Sequence, residues 1–292
     1  MRRILVTGAN KGIGAAIVRA ILDEYDDTMA LLACRDRGRG EAAVAALVSE
    51  RPAWRERLML VELDVGSDAS VSAAAATVGG ALGSSPTPLY ALVNNAGIGL
   101  GSNDVASVLN VNLLGPRRVC EAFVPLLDPE RGRVVHISSA SGPNFVNRCS
   151  PERQRFFVDP ELQWSALEAL IDECTKLGAT PEAYAAAGLG SSDAYGLSKA
   201  CLNSYTMLLA REHPTLRINA CTPGYIETDL TRPHASGTSP AALGMKPPSA
   251  GARAAMFLLF GQPDGSGHYY GSDAVRSPLD RYRAPGDPPF LG

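Results

Sequence analysis

The fold is indicated by one stretch near the amino terminus, Ile4-Leu5-Val6-Thr7-Gly8-Ala9-Asn10-Lys11-Gly12-Ile13-Gly14. Its first three residues are aliphatic and predict a short buried strand, and residues 15–22 after it have helical character. Glycines at such a junction let the backbone turn tightly, and the free N–H groups of the helix amino terminus can then hold a pyrophosphate. An ordinary strand–helix turn could also use them, but their place at the start of a strand–helix series favours a phosphate site.

Strands and helices alternate from this turn to the middle of the chain. The aliphatic runs that predict strands lie at residues 4–6, 29–33, 58–63, 89–93 and 134–137. The segments with helical patterning lie at 15–22, 41–48, 69–78 and 105–127, the last interrupted by Gly115-Pro116. Strands that alternate with helices form parallel sheets covered on both faces. We therefore predict an α/β fold, a doubly wound parallel sheet of the Rossmann type.

The alternation is broken by a segment at about 142–192. It contains a helical stretch at 161–177 and an alanine-rich stretch at 181–187, which predict a helical insertion rather than a separate domain. Alternation then resumes with helices at 194–211 and 250–259 and strands at 216–221 and near 267–270. Residues 271–292 are rich in proline, glycine and charge and predict an irregular tail. We expect a single domain over residues 1–292.

The composition of the 292 residues excludes several classes of protein. The formal net charge is −3, whereas a nucleic-acid-binding surface needs a basic face. The six cysteines form no CxxC pair and the four histidines no HExxH motif, so we expect reduced thiols and no metal site. The apolar runs are too short for a signal peptide or a membrane span. We expect a soluble, cytoplasmic protein without a nucleic-acid or membrane partner.

Charged residues near the glycine turn bear on the choice of cofactor. The second strand ends at Arg35-Asp36. An acid there would bind a ribose 2′-hydroxyl and favour NAD, whereas an arginine would pair with a 2′-phosphate and favour NADP. Lys11 adds a second cation inside the turn, beside the expected place of the adenosine ribose. Two cations against one acid favour NADPH.

Polar residues also follow the third and fourth strands. Asp64, with Val65 after it, could accept a hydrogen bond from an adenine amino group, or it could cap the next helix. The fourth strand is followed by Asn94-Asn95-Ala96-Gly97. Asparagine side chains there can tie neighbouring strands together, and the small alanine and glycine leave room for a ribose. We expect structural and cofactor-binding roles to coexist in this stretch.

A third group of residues has the types needed for acid–base chemistry. Ser138-Ser139 lie at the end of the fifth strand, the edge at which doubly wound sheets bind ligands. Tyr195 and Lys199 are four residues apart and share one face of a helix. A serine hydroxyl can hold a carbonyl oxygen while a phenol gives it a proton. A nearby ammonium, together with the oxidised nicotinamide, would lower the phenol pKa toward neutrality.

Together these motifs resemble the classical short-chain dehydrogenase/reductase family, in order along nearly the whole chain. The resemblance implies that the catalytic residues are Asn112, Ser139, Tyr195 and Lys199. Tyr195 would be the proton donor, Lys199 would also bind the nicotinamide ribose, and Asn112 would hold a helix kink and a water of the proton relay. Ser139 is preferred to Ser138 because the family's catalytic serine is the second of such a pair.

The resemblance also assigns the contacts with the cofactor. The stretch Pro223-Gly224-Tyr225-Ile226-Glu227-Thr228 matches the part of the family that contacts the nicotinamide and the pyrophosphate. The full set of expected cofactor-binding residues is Gly8, Asn10, Lys11, Gly12, Ile13, Gly14, Arg35, Asp64, Val65, Asn94, Ala96, Gly97, Tyr195, Lys199, Pro223, Gly224, Ile226 and Thr228.

The long interval between the catalytic serine and tyrosine matches one branch of the family. This branch contains the monomeric carbonyl reductases and the related plant alkaloid and terpenoid ketone reductases. Ala33-Cys34-Arg35-Asp36 and Cys149-Ser150-Pro151-Glu152 match it as well. In this branch Lys11 and Arg35 would bind the 2′-phosphate, which implies NADPH/NADP+ as the cofactor. The insertion covers a surface that other members use to form tetramers, which implies a monomer.

The implied activity is NADPH-dependent reduction of a small-molecule ketone, aldehyde or quinone. A secondary-alcohol dehydrogenase is the nearest alternative, because sequence does not fix the direction of the reaction. A non-catalytic dinucleotide sensor is the other alternative, against which the intact catalytic residues argue. Phe145, Trp164 and Tyr225 are candidates for the lining of the substrate pocket, although Trp164 could equally be a core residue.

Overall fold

The centre of the protein is a mixed sheet, seen in a computed structural model that describes residues 1–83, 89–177, 180–235 and 237–292. Its strands are β1 (Arg2–Thr7), β2 (Thr28–Cys34), β3 (Leu58–Glu62), β4 (Leu89–Asn94), β5 (Arg133–Ile137), β6 (Arg217–Cys221), β7 (Tyr269–Tyr270) and β8 (Arg276–Ser277). Within the described ranges they form one sheet in the order β3-β2-β1-β4-β5-β6-β7-β8. Strands β1 to β7 are parallel, and β8 pairs antiparallel with β7.

Helices flank this sheet on both faces. They are α1 (Gly12–Glu24), α2 (Arg37–Glu50), α3 (Asp68–Leu82), α4 (Val105–Leu109), α5 (Gly115–Phe123), α6 (Ser141–Arg148), α7 (Pro151–Val158), α8 (Trp164–Leu177), α9 (Pro181–Ala186), α10 (Ala194–Glu212), α11 (Pro248–Gly251) and α12 (Arg253–Phe260). Short 3₁₀ segments occur at Pro52–Arg57, Val124–Leu126 and Arg232–Ala235. In the part of the chain that is described, no helix is long and apolar enough to cross a membrane. The predicted doubly wound α/β fold is confirmed.

Two apolar layers hold the helices against the sheet, because successive side chains of a strand point to opposite faces. In β1, Leu5 belongs to the layer shared with α3, α5 and α10, and Ile4 and Val6 belong to the layer shared with α1 and α12. All three side chains are fully buried. With both faces covered, the carboxyl edge of the sheet is the place where a ligand can bind.

Three segments differ in detail from the predicted pattern. The insertion contains α6 to α9, and the helix predicted to begin at Glu161 begins at Trp164. Asp159 causes this delay, because it accepts a hydrogen bond from the Glu161 N–H at 2.9 Å and turns the chain first. The helix predicted at 250–259 is divided into α11 and α12. The tail is not wholly irregular, since it contributes β8 to the sheet.

Candidate active site

The turn between β1 and α1 requires glycine at several positions. Gly8 and Gly12 have φ angles of +63° and +57°, in the left-handed region that favours glycine. A Cβ on Gly14 would lie 2.5 Å from the Asn95 Nδ2 and 2.6 Å from the Gly8 carbonyl oxygen. The side chain of Lys11, which precedes α1, makes no capping hydrogen bond. The first N–H groups of α1 are therefore available to an anion.

A cavity of about 630 Å³ lies at the carboxyl ends of β1 to β4. This volume is in the range of small-molecule sites. The predicted cofactor residues that line it are Gly8, Asn10, Lys11, Gly12, Ile13, Arg35, Asp64, Val65, Ala96, Gly97 and Thr228. Gly14, Asn94, Tyr195, Lys199, Pro223, Gly224 and Ile226 do not line this cavity. Ile226 is only 1% exposed, so its side chain is a packing residue rather than a cofactor contact.

The two asparagines after β4 point in opposite directions. Asn94 is buried, and its Nδ2 donates to the Cys120 Sγ at 3.3 Å, toward α5. Asn95 lines the cavity, and its Nδ2 donates to the carbonyl oxygens of Thr7 and Gly8 at 2.8 and 3.2 Å. Successive side chains alternate along an extended chain. The structure therefore places Asn95, rather than Asn94, at the cavity, which corrects the predicted contact, and Asn95 is the residue that ties β4 to β1.

The charges near the end of β2 favour a phosphate over a ribose hydroxyl. Asp36 accepts a hydrogen bond from the Arg39 N–H at 2.8 Å and so caps α2. Arg35 and Arg39 line the cavity, and neither side chain forms an ion pair or hydrogen bond with a described residue. Lys11 pairs with Asp229, at 2.6 Å between Nζ and Oδ2. The sequence motifs did not indicate Arg39 as a cofactor-binding residue, although the arginine-rich stretch at 35–39 is a signal from which a phosphate site could be inferred.

Asp64 lies at the cavity and does not cap the helix that follows it. Its Oδ1 accepts a hydrogen bond from the Gly66 N–H at 2.9 Å. The cap of α3 is Ser67, whose Oγ accepts from the Ser70 N–H at 3.3 Å. The capping alternative is therefore wrong, and the Asp64 carboxylate can face an adenine.

The two serines after β5 also have different environments. Ser138 is buried and donates to the Lys199 carbonyl oxygen at 3.4 Å, so its hydroxyl has a structural partner. Ser139 is half-buried, donates to the Ser141 Oγ at 3.2 Å and accepts from the Ser141 N–H at 3.1 Å. These contacts support Ser139 as the serine that can meet a substrate. Ser141, which no motif indicated, fixes the orientation of that hydroxyl.

Tyr195 and Lys199 lie on α10 and are both buried. Burial raises the pKa of Tyr195 to about 12; the hydrogen bond with Ser139 lowers it and Asp193 raises it. Lys199 donates from Nζ to the Ile137 carbonyl oxygen at 2.9 Å, and burial lowers its pKa to about 8. The Nζ lies 5.6 Å from the centre of the tyrosine ring. Burial therefore outweighs the contact with Ser139 in setting the Tyr195 pKa, and the lowering expected from the oxidised nicotinamide stays a prediction.

Asn112 lies in a π-helical turn, Asn110–Leu114, between α4 and α5. The Gly115 N–H donates to the Asn110 carbonyl oxygen, five residues earlier. Pro116 has no N–H with which to bond the Asn112 carbonyl, so the normal helical ladder cannot continue here. The predicted interruption is therefore present, but it begins five residues before Gly115. Such turns are frequent at functional sites.

The amide of Asn112 joins the loop after β4 to α10. Its Oδ1 accepts from the Ile98 N–H and its Nδ2 donates to the Ile98 carbonyl oxygen, both at 2.9 Å. The Nδ2 also donates to the Ser198 Oγ at 3.0 Å, and that hydroxyl donates to the Tyr195 carbonyl oxygen at 2.8 Å. A Cβ on Gly97 would lie 3.4 Å from the Asn112 Oδ1.

Asn112 and Lys199 approach the cavity at Gly97, which lines it. A Cβ on this glycine would also lie 3.7 Å from the Lys199 Nζ. The site therefore combines a glycine turn with uncapped helix N–H groups, unpaired arginines, a buried phenol and a buried amine along one edge of the sheet. A family model described as short chain dehydrogenase matches residues 2–150, just over half of the chain. The chain belongs to the short-chain dehydrogenase/reductase family.

The relatives of this short-chain dehydrogenase/reductase include carbonyl reductases. Carbonyl reductase (NADPH) 1 of Mus musculus is 33% identical over 279 residues, which cover 90% of this chain and 92% of the relative. The (+)-neomenthol dehydrogenase of Arabidopsis thaliana is 33% identical over 78% of this chain and 84% of its own. The structure of NADPH-bound carbonyl reductase from chicken fatty liver has a TM-score of 0.64 at 26% identity, covering 94% of this chain and 97% of that one. The predicted family and its carbonyl reductase-like branch are confirmed.

Two residues expected in the substrate pocket of this short-chain dehydrogenase/reductase lie elsewhere. Phe145 is fully buried and packs edge-on against Phe157 in the core. The Arg117 Cζ lies 3.7 Å from the centre of the Trp164 ring, and Trp164 lines a separate cavity of about 260 Å³. Both belong to the insertion, whose inner faces pack on the body of the protein. Tyr225, 43% exposed on the loop after β6, stays a candidate.

Proposed function

We propose that the protein reduces the carbonyl group of a small ketone, aldehyde or quinone with NADPH, and that Tyr195 donates the proton. The main observation is that Lys199, one helical turn from Tyr195, lies beside Gly97 in the lining of a cavity that also holds the unpaired Arg35 and Arg39. The 33% identical carbonyl reductase (NADPH) 1 of Mus musculus supports the same cofactor and reaction class.

The residues present fit this cofactor. The amino terminus of α1 would hold the pyrophosphate, because the residue before it makes no side-chain capping hydrogen bond to its N–H groups. Arg35 and Arg39 would pair with the 2′-phosphate, and Lys199 would hold the nicotinamide ribose. When bound, the nicotinamide supplies a hydride to the carbonyl carbon.

The chain's own residues complete the reaction at the carbonyl oxygen. The Ser139 hydroxyl, now on Ser141, can turn to hold that oxygen. The Tyr195 hydroxyl gives it a proton as negative charge develops. A preference for NADPH favours reduction over oxidation of a secondary alcohol in a cell. The intact site likewise argues against a non-catalytic sensor.

The proposed function is tested by following oxidation of NADPH and NADH against a panel of ketones, aldehydes and quinones. We expect NADPH to be strongly preferred, and Arg35→Leu to lower kcat/KM for NADPH by about ten- to hundred-fold, the value of one charge-assisted contact. Activity with NADH should change little. Arg55→Leu, which removes an exposed arginine remote from the cavity, is the matched control. Tight NADPH binding without turnover of any carbonyl would instead indicate a sensor.

We also propose that residues 1–292 act as a single domain and as a cytoplasmic monomer. Trp164 on α8 packs edge-on against Tyr205 of α10 at 5.9 Å, so the insertion covers this face of α10. All six cysteines are free and buried, as in a reducing compartment. Light scattering should give the mass of one chain, and cell fractionation should recover the protein with cytosolic markers. A dimer or tetramer mass would contradict the first expectation, and a membrane or secreted fraction the second.

A further inference from the structure

An ion pair joins the glycine turn to the loop after β6. The Lys11 Nζ lies 2.6 Å from the Asp229 Oδ2, and both residues line the cofactor cavity. Both side chains are more than half exposed. The pair therefore lies in solvent at the cavity, where an incoming anion can reach the ammonium.

Lys11 differs from Arg35 and Arg39, two other cations of this cavity, in already having an acidic partner. Arg35 and Arg39 form no ion pair with any residue in the described ranges. Asp229 also has a second partner, because its Oδ1 accepts from the Arg232 Nη1 at 2.8 Å. Arg232 in turn donates to the Glu227 Oε1 at 3.2 Å. Loss of Lys11 would therefore leave the Asp229 carboxylate hydrogen-bonded rather than isolated.

We propose that Asp229 is a specificity-determining residue that competes with the 2′-phosphate of NADPH for the ammonium of Lys11. This inference rests on the proposed function, since it takes NADPH as the cofactor. A phosphate with nearly two charges and three acceptor oxygens attracts an ammonium more strongly than a carboxylate does. Binding of NADPH then exchanges Asp229 for phosphate at the Lys11 Nζ, whereas binding of NADH leaves the ion pair in place. Asp229 therefore weakens NADPH binding selectively and reduces the preference for NADPH over NADH.

The exchange is tested by calorimetric titration of the full chain with 2′,5′-ADP and with 5′-AMP, which differ by the phosphate in question. Asp229→Asn should tighten binding of 2′,5′-ADP by about three- to five-fold, the scale of one exposed ion pair. Binding of 5′-AMP should not change. Asp27→Asn is the matched control, because it removes a carboxylate from an exposed pair with Arg2 at the other end of β1. This control should bind both probes as the wild type does.

Lys11→Met separates competition from simple repulsion between Asp229 and the phosphate. In the Lys11→Met background, the added Asp229→Asn substitution should have no effect on 2′,5′-ADP. An equal tightening in both backgrounds would overturn the proposal in favour of repulsion, and so would unchanged binding in Asp229→Asn alone. If the wild type binds 2′,5′-ADP no better than 5′-AMP, the proposed function fails and this inference fails with it.

Discussion

Tyr195→Phe is expected to lower the rate of carbonyl reduction by roughly 10²–10⁴-fold, the usual contribution of a general acid. The substitution removes only the hydroxyl, and the ring keeps its buried place on α10. Binding of NADPH, followed by its fluorescence, should be unchanged within a few-fold. The measurement is kcat under saturating NADPH with the best carbonyl of the panel.

Tyr184→Phe is the matched control for this variant. Tyr184 lies on α9 in the insertion and is fully buried, and its hydroxyl has no hydrogen-bond partner among the described residues. Its substitution should leave kcat unaltered. Full activity in Tyr195→Phe would show that another group donates the proton, and equal losses in both variants would indicate a general effect on packing.

Lys199→Met is expected to lower the rate of carbonyl reduction by roughly 10²–10⁴-fold. The same substitution is expected to stabilise the fold at neutral pH. Burial lowers the lysine pKa from 10.5 to about 8, so a charged amine is held at pH 7 in surroundings that disfavour it. A shift of this size means that the buried charge destabilises the folded protein by roughly 3 kcal/mol. The variant also loses the hydrogen bond to the Ile137 carbonyl, which costs about 1 kcal/mol of stability. The free energy of unfolding should therefore rise by about 2 kcal/mol.

The stabilisation should depend on pH in a defined direction. Below pH 8 both the folded and the unfolded wild type carry the proton, so the full cost of the buried charge is present. Between pH 8 and 10.5 the folded protein loses the Lys199 proton before the unfolded chain does, so the free energy of unfolding of the wild type rises. The stability advantage of Lys199→Met therefore shrinks over this range. Urea denaturation at pH 7.0, 8.5 and 9.5 measures this trend.

Lys176→Met, at an exposed position of α8, is the control for loss of a lysine as such. It should change the free energy of unfolding little at any of these pH values. A destabilised Lys199→Met at pH 7 would contradict the argument, because it would mean that the buried ammonium contributes more through its contacts than its desolvation costs.

Much of this fold could be predicted because its signals are local. An aliphatic run, a glycine turn and a helical pattern lie within a few residues of one another at 4–14, and the same alternation recurs along the chain. Tyr195 and Lys199 could be paired because four residues separate one turn of a helix from the next. Ser139 was placed at the sheet edge by the end of β5, which is again a local feature.

The remaining features depend on contacts between distant parts of the chain. Asn94 and Asn95 are adjacent and chemically identical, and only the position of β4 in the sheet decides which one faces the cavity. Trp164 is a large aromatic residue of the kind that lines substrate pockets, but the packing of α8 on α10 places it outside the cofactor cavity. Lys11 and Asp229 are 218 residues apart, so no pattern along the chain shows that they pair.

The outer helices of the insertion, α7 to α9, stand between Ser139 and Tyr195 along the chain, yet contacts outside these helices hold Lys199 and Asn112 in place. Lys199 is held to β5 through the Ile137 carbonyl, and Asn112 holds α10 through Ser198. Evolution can therefore change the length and outer surface of this segment while the chemistry is conserved. For a protein engineer, the same independence makes it a place to graft a new recognition element onto an otherwise unaltered catalyst.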